Sequence, residues 1–160
     1  RRAGGPDASG RASALEAEMQ RAWSRRGDGF AKVGRVLILA GTAPPSAMGP
    51  GSFHAQILEA IGGVPAVDSG NAFQQLTLED VLALAPDAIV LVAPRSPRTP
   101  SGPGGTSVPP GRLGRLSELS IPANANGRTA ILDDPLGHTP STAMIGLADE
   151  LARVLEAWNH

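Results

Sequence analysis

The run "RVLILAG" (residues 35–41), together with "MGPGSFHAQILEAIGG" (residues 48–63), decides the fold of this chain. The first stretch is continuously apolar and does not alternate, as expected of a parallel strand that is buried on both faces. In the second stretch, a Gly-Pro-Gly turn leads into a short helical pattern that ends on Gly62 and Gly63, because glycine favours the end of a helix. The two stretches therefore predict a strand that turns into a helix, which is the repeating unit of α/β folds.

The same alternation of strand and helix continues along the chain. The helical pattern "TLEDVLALA" has Thr77 at its N-cap, Asp80 three residues later and Pro86 at its end, and the apolar run "AIVLVA" (88–93) follows it. Shorter strands are predicted at "VPAVD" and "RTAIL". Helices are predicted at "GRLGRLSELS" and at "TPSTAMIGLADELARVLEAW", the latter capped by Thr139. We therefore predict a single Rossmann-like α/β domain with a central parallel sheet of about four strands and helices on both faces.

The N-terminal segment carries a separate helical pattern. Residues 1–11 are predicted to be a flexible lead, and residues 12–26 form an amphipathic pattern that Gly27 and Gly29 end. Its apolar stripe consists of Leu15, Met19, Ala22 and Trp23. This stripe needs a covering surface, and we expect it to pack loosely or against another copy. Because the chain begins at Arg1 rather than Met, we expect it to be a piece of a longer protein.

Composition excludes several classes of function. The chain has 160 residues, 41% of them hydrophobic, and a net charge of -1, which argues against a nucleic-acid partner. It contains no cysteine, so disulfides and thiolate metal sites are excluded. No apolar run reaches the roughly 18 residues of a membrane helix.

The motifs do not assemble a catalytic site. The loop "GTAPPSAMGPGS" lacks both a phosphate-binding Gly-Lys-Ser/Thr and a Gly-x-Ser-x-Gly nucleophile turn, so Ser52 is interpreted as a helix cap. "DDPLGH" places Asp133, Asp134 and His138 in one loop, where they are either metal ligands or ordinary turn residues. Arg95, in the long Pro/Gly-rich loop 94–111, is either a contact for an anionic ligand or a solvated side chain. We therefore predict no enzyme activity, no resident cofactor and no metal site.

The order of the motifs resembles the metal-chelate periplasmic binding proteins, which deliver cobalamin, haem or iron–siderophores to ABC importers. The resemblance rests on "RVLILAGTAPPSAMGPGSFHAQILEAIGG", "FQQLTLEDVLALAPDAIVLVAP", "NGRTAILDD" and the closing "LADELARVL", and covers about residues 35–157. Members of this family have two α/β lobes joined by one long helix, with the ligand between the lobes. The resemblance implies that residues 31–160 are the C-terminal lobe and that residues 12–30 are the end of the interlobe helix.

The resemblance also implies which residues face the ligand and the partner. Phe73 occupies the place of a ligand-facing aromatic, and Asp133 matches an acidic residue after the last strand. Gly137 replaces an arginine of the cobalamin-binding member, which leaves His138 as the nearest polar substitute. Glu79 matches the glutamate that docks on the permease. The implied ligand-binding residues are Pro45, Ser46, Ala47, Met48, Phe73, Arg95, Asp133 and His138.

The implied ligand is a metal chelate, and the implied partner is the permease of an ABC importer. With no Tyr and no Cys, this lobe offers only histidine or carboxylate to a metal. Phe73 and Met48 suit a bulky chelate with apolar faces. The family implies a periplasmic or extracytoplasmic location, with membrane contact only through the permease or a lipid anchor outside this chain. Two alternatives stay open: a stand-alone α/β interaction module, and a metal-dependent small-molecule enzyme that uses the 133–138 loop.

Overall fold

A computed structural model describes residues 7–24, 29–93, 110–133, 138 and 142–160. The strands are β1 (Arg35–Thr42), β2 (Pro45–Met48), β3 (Val64–Pro65), β4 (Phe73–Gln75), β5 (Ala88–Val92) and β6 (Thr129–Leu132). The helices are α1 (Asp7–Ala22), α2 (Phe53–Ala60), α3 (Leu78–Leu84), α4 (Pro110–Leu113), α5 (Pro122–Ala125) and α6 (Ala143–Ala157), and 3-10 turns cover Gly29–Val33 and Gly114–Glu118.

These strands form one mixed sheet with a parallel centre. The strand order is β4-β2-β1-β5-β6, and β3 pairs with the start of β1. β1, β5 and β6 run parallel, with Leu39 opposite Leu91 and Val92 opposite Leu132. The predicted α/β fold with a parallel central sheet is therefore confirmed.

The sheet is wider than predicted because two short strands were interpreted as loops. β2 pairs antiparallel with β1 within the segment "GTAPPSAMGPGS", which was interpreted as a loop, and β4 pairs antiparallel with β2 between the predicted strand "VPAVD" and the predicted helix "TLEDVLALA". Each is only three or four residues long and depends on its neighbour in the sheet for its extended shape. Neither could show the long apolar run or the repeated alternation that marks a strand in a sequence.

Both faces of the sheet are covered, as predicted. On one face Val36, Ile38 and Val90 pack against α1, α2 and α6. On the other face Leu37, Leu39 and their neighbours pack beneath the layer formed by α3, α4 and α5. Complete burial of one such side chain stabilises the fold by about 1.5–3 kcal/mol.

Helix α2 crosses one face of the sheet between two well-defined ends. The Ser52 hydroxyl accepts a hydrogen bond from the Ala55 N–H at 3.2 Å, so the interpretation of Ser52 as a cap is confirmed. At the other end Gly62 has a φ of 97° and donates to the Glu59 carbonyl, and Gly63 donates to the Leu58 carbonyl at 2.8 Å. This pattern is a Schellman motif, which explains why the helix ends on two glycines.

Helix α6 closes the same face. It begins at Ala143 after Thr142, and the predicted cap at Thr139 lies outside the described residues. Leu147, Leu151 and Leu155 are buried, as the helical spacing predicts. α6 therefore contributes a continuous apolar stripe to the core.

Helix α1 packs against α6 and starts earlier than predicted. Residues 7–11, which were expected to belong to a flexible lead, form its first turns. Ala22 is buried, while Leu15, Met19 and Trp23 are half-buried along a groove of about 600 Å³ that reaches Ala60 on α2. The stripe is thus partly covered within this chain. None of the described helices is long and apolar enough to cross a membrane.

Candidate functional site

The carboxyl edge of the sheet is the candidate site, because ligands of open α/β sheets bind beyond the carboxyl ends of the strands. β1, β5 and β6 end there at Thr42, Val92 and Leu132. α2 begins at this edge and returns to the amino end, where β3 pairs with Arg35. α4 also reaches this edge, since the Thr42 hydroxyl donates to the Arg112 carbonyl at 3.3 Å.

His138 lies over the end of the central strand β5. Its Nε2 is 2.7 Å from the carbonyl oxygen of Val92. Because a carbonyl oxygen only accepts hydrogen bonds, Nε2 must carry the proton, and the lone pair of the neutral ring is on Nδ1. The side chain is otherwise exposed. Among the described residues, His138 is therefore a fixed imidazole at the middle of the carboxyl edge.

A second histidine supports this position. His54, in the first turn of α2, is only 3% exposed, and its ring meets that of His138 edge-on at a centroid distance of 6.2 Å. The centroid of the His54 ring also lies 3.8 Å from that of the Phe53 ring, with the planes tilted by 30°. The helical pattern of residues 48–63 predicts that His54 lies on a helix, but it gives no indication of this contact. The contact joins the start of α2 to His138, which lies at the end of β5.

The β1–β2 hairpin places the predicted ligand residues 45–48 in alternating environments. The side chains of Pro45 and Ala47 are buried, whereas Ser46 and Met48 are half-buried. Ser46 lies opposite Gly41, near the carboxyl edge, and its hydroxyl donates to the Pro44 carbonyl at 3.2 Å. Of these four residues, Ser46 is thus the half-buried one at the carboxyl edge.

Phe73 and Met48 form a separate pair away from the carboxyl edge. They face each other in the β2–β4 register, and Phe73 is 55% exposed. Ala47 lies opposite Leu39, so Met48 is one position closer to the amino end of β1. Measured along the strands, the Met48–Phe73 pair is therefore roughly 7–10 Å from Asp133 in the direction of the amino end of the sheet.

Asp133 lies on the opposite flank of the sheet. It follows β6 directly and is half-buried. β4 and β6 are the two outer strands of the sheet, four strand spacings or about 19 Å apart. A ligand that contacts both Phe73 and Asp133 must therefore span the sheet. Arg95, the remaining predicted contact, lies outside the described residues.

Glu79 is exposed in the first turn of α3, at the outer flank of the same edge. Leu76, just before this helix, donates to the Pro45 carbonyl at 2.8 Å, which fixes the start of α3 near the hairpin. Thr77 and Asp80 form the predicted capping box. Hydrogen bonds from the Thr77 backbone N–H and then from its hydroxyl lower the pKa of Asp80. Glu79 is therefore an exposed carboxylate on a well-anchored helix end.

Sequence reasoning missed Arg112 and the His54–His138 contact. Arg112 is exposed, and its backbone lies beside Thr42, seventy residues away in sequence. The two histidines are separated by 84 positions in sequence, and spacing along a chain carries no information on such a contact. The position of Arg112 beside Thr42 and the contact between the two histidines both result from the packing of helices against the sheet.

Within the described part of the chain, no three histidine or carboxylate side chains are grouped closely enough to hold a metal ion. A groove of about 340 Å³, lined by Arg35, Gln74 and Asp80 among others, lies on the α3 side of the sheet, and His138 is not part of its lining. Asp134, the third group of the predicted metal-binding loop, lies outside the described residues, and the described part of the carboxyl edge presents separate groups. Such an arrangement can bind a large ligand against a partner surface.

Solved structures of similar fold bind metal chelates. No family model and no curated protein matches the sequence. The chain is similar to the siderophore periplasmic binding protein from the fuscachelin gene cluster of Thermobifida fusca, with a TM-score of 0.65, 16% identity and coverage of 97% of this chain and 55% of that one. It is also similar to a periplasmic haem-binding protein from Pseudomonas aeruginosa, with a TM-score of 0.63, 21% identity and coverage of 92% and 53%.

A third similar structure is the periplasmic vitamin B12 binding protein of Vibrio cholerae, with a TM-score of 0.62, 16% identity and coverage of 90% and 50%. The chain spans about half the length of the structures that it matches. All three are binding proteins rather than enzymes. At these identities the likeness shows the fold, an α/β lobe of the kind found in such binding proteins.

Proposed function

We propose that the chain is the C-terminal lobe of the substrate-binding protein of an ABC importer and that it binds a metal chelate in a cleft against a second lobe. The observation that carries this proposal is the match to about half of each of three chelate-binding proteins. The carboxyl edge supports it, since Ser46, Asp133 and His138 reach that edge from three different segments.

Helix α1 supports the two-lobe arrangement. It packs on α6 and leaves Leu15, Met19 and Trp23 half-buried beside a groove of about 600 Å³. A half-buried apolar stripe of this kind suits the end of a helix that continues into another lobe. We therefore take α1 as the end of the interlobe helix.

The proposed partner is the permease of the importer, and Glu79 is the proposed docking residue of this lobe. Glu79 is exposed at the flank of the carboxyl edge, so it can meet a partner while the middle of the edge holds a ligand. The protein would act outside the cytoplasm, in the periplasm or on a lipid anchor. No resident cofactor is part of the proposal.

The test is a titration of the full-length protein and of this chain alone with three ligands: ferric protoporphyrin, cyanocobalamin and a ferric hydroxamate siderophore. One of these should bind the full-length protein much more tightly than the isolated chain, because a single lobe encloses only part of the ligand surface. Circular dichroism of the isolated chain is the control that it is folded.

Two results would contradict the proposal. Equal affinity of the folded chain and the full-length protein would show that a second lobe plays no part. Failure of the full-length protein to bind any of the three chelates would remove the transport function itself.

A further inference from the structure

We propose that the groove of about 340 Å³ beside α3 is a second binding site, separate from the carboxyl edge, and that it takes a small zwitterion of the amino-acid type. Arg35 binds the carboxylate of this ligand, and Asp68 binds its ammonium group. All residues that line the groove belong to the described part of the chain. The inference does not depend on the proposed transport function.

Arg35 supplies a fixed positive charge to the groove. Its Nη1 donates to the Leu84 carbonyl at 3.1 Å, and its Nη2 donates to the Ala66 carbonyl at 2.8 Å. Its backbone N–H also donates to the Asp87 carboxylate at 2.8 Å. Because a guanidinium has five N–H donors, the two side-chain bonds leave three for a ligand, and neutral carbonyl oxygens do not cancel the charge. An anchored guanidinium can therefore bind a carboxylate with little further loss of conformational entropy.

Two carboxylates line the same groove. Asp80, in the first turn of α3, accepts hydrogen bonds from the Thr77 N–H and hydroxyl on the same oxygen, Oδ2. Asp68, in the segment after β3, is exposed. The bonds that fix Arg35 go to carbonyl oxygens rather than to these carboxylates, so both signs of charge are available to a ligand. Asp68 is the better partner for an ammonium group, because Asp80 already serves the helix end.

The wall of the groove at β4 is fixed by Gln74. Its Nε2 donates to the Ser69 carbonyl at 3.1 Å. A Cβ on Gly70, which has a φ of 96°, would lie 2.5 Å from the Gln74 Oε1, so the amide packs directly against the backbone at Gly70. These contacts hold the segment that carries Asp68, and a preformed site pays less ordering entropy when a ligand binds.

The remaining lining is apolar and comes from Val67, Leu76, Ala83 and Leu84. The volume of the groove lies near the lower end of the roughly 300–1,000 Å³ that ligand pockets span, which suits a small molecule rather than a macrocycle.

Charge complementarity selects the class of ligand. A simple anion at Arg35 would also meet the field of two carboxylates, and a simple cation at Asp68 would meet the field of Arg35. A zwitterion satisfies both, since its carboxylate can pair with the guanidinium and its ammonium group with Asp68. An amino acid with an apolar side chain also uses the apolar lining.

The experiment titrates the full-length protein with three probes that share one apolar body. L-Leucine carries both charges, isocaproate lacks the ammonium group, and isoamylamine lacks the carboxylate. Leucine should bind about 10–100-fold more tightly than either of the others, which is the range for the loss of one hydrogen bond to a charged group.

Asp68→Asn is the test variant, because it removes the negative charge from an exposed side chain while keeping its size. It should weaken leucine binding about 10–100-fold and leave isocaproate binding unchanged. Glu118→Gln is the matched control, since Glu118 is an exposed carboxylate at the end of a 3-10 turn, outside the lining of the groove. This control should change neither affinity.

Nuclear magnetic resonance of the wild-type protein locates the bound leucine without any substitution. The backbone amide signals of Val67, Ser69 and Gln74 should shift as leucine is added up to about 10 mM, a concentration that saturates most of a site with a Kd near 1 mM. Unshifted groove amides would overturn the proposal and leave Arg35 as a purely structural link between α3 and β3. Equal affinity for leucine and isocaproate, or unchanged affinity in Asp68→Asn, would also overturn it, because the ammonium group would then have no partner in the groove.

Discussion

Thr77 and Asp80 exchange hydrogen bonds at the start of α3. The backbone N–H of Thr77 donates to the Asp80 carboxylate at 2.8 Å, and the Asp80 N–H donates to the Thr77 hydroxyl at 3.1 Å. Two backbone donors that a helix end would otherwise leave unsatisfied are thereby paired. The reciprocal bonds fix the helix end on which Glu79 stands, independently of Glu79 itself.

Replacement of Thr77 by alanine should destabilise the fold by about 0.5–2 kcal/mol, because the hydroxyl acceptor at the N-cap is lost. Thermal or urea unfolding of the chain measures this change. Thr142→Ala is the matched control, since Thr142 occupies the N-cap of α6 without a side-chain hydrogen bond. A similar loss in both variants would show that the capping bond is not the cause.

The capping box should also make stability depend on pH. The Thr77 N–H and then the Thr77 hydroxyl lower the pKa of Asp80 in the folded state, so the folded protein favours the carboxylate more than the unfolded chain does. This stabilisation is complete above the unfolded pKa of about 3.9 and is lost as the pH falls through the lower folded value.

Urea unfolding between pH 7 and pH 2 tests this dependence. The stability difference between the wild-type protein and Thr77→Ala should be constant above about pH 5 and should shrink under acid conditions. A difference that grows as the pH falls would contradict the assigned direction of the Asp80 shift.

The sequence was sufficient to predict the elements that carry strong local patterns. β1 and β5 are uninterrupted apolar runs, α2 ends on Gly62 and Gly63, and α3 has a capping box followed by Pro86. In each case the residues that define the element also make its stabilising contacts. Such local agreement is what periodicity and capping rules detect.

The elements that the sequence missed depend on distant partners. β2 is extended because β1 pairs with it, and β4 is extended because β2 does. The candidate site also depends on contacts between residues that are distant in sequence. His138 contacts Val92, which is 46 positions away, and His54, which is 84 positions away. The residues of the site were named individually, but their arrangement follows from the strand order.

Ala85 offers a stabilising substitution. It ends α3 in the left-handed conformation with a φ of 44°, which strains a residue that carries a Cβ. Ala85→Gly should raise the free energy of unfolding by about 0.5–1 kcal/mol, because glycine adopts this conformation without steric conflict.

The comparison for Ala85→Gly is Ala83→Gly in the same helix. Ala83 is exposed within α3, so glycine there should lower stability by about 0.5–1 kcal/mol. Chemical denaturation of both variants should therefore give changes of opposite sign. A loss of stability in both would show that the left-handed residue is not strained in solution.

Reversal of charge at Glu79 should separate folding from docking. Glu79 is exposed in the first turn of α3, where a carboxylate gains only about 0.3–1 kcal/mol from the helix dipole. Asp80 and Thr77 hold the helix end without it, so Glu79→Arg should lower the melting temperature by no more than about 2–4 °C. An exposed charge at an interface acts mainly on encounter and register, and we therefore expect weaker co-purification of the full-length protein with its permease and slower uptake.

Glu59→Arg, at the far end of α2, reverses an exposed charge away from the carboxyl edge and should leave docking unchanged. Normal docking by Glu79→Arg would exclude this residue from the interface, whereas equal loss in both variants would point to net charge rather than to a specific contact.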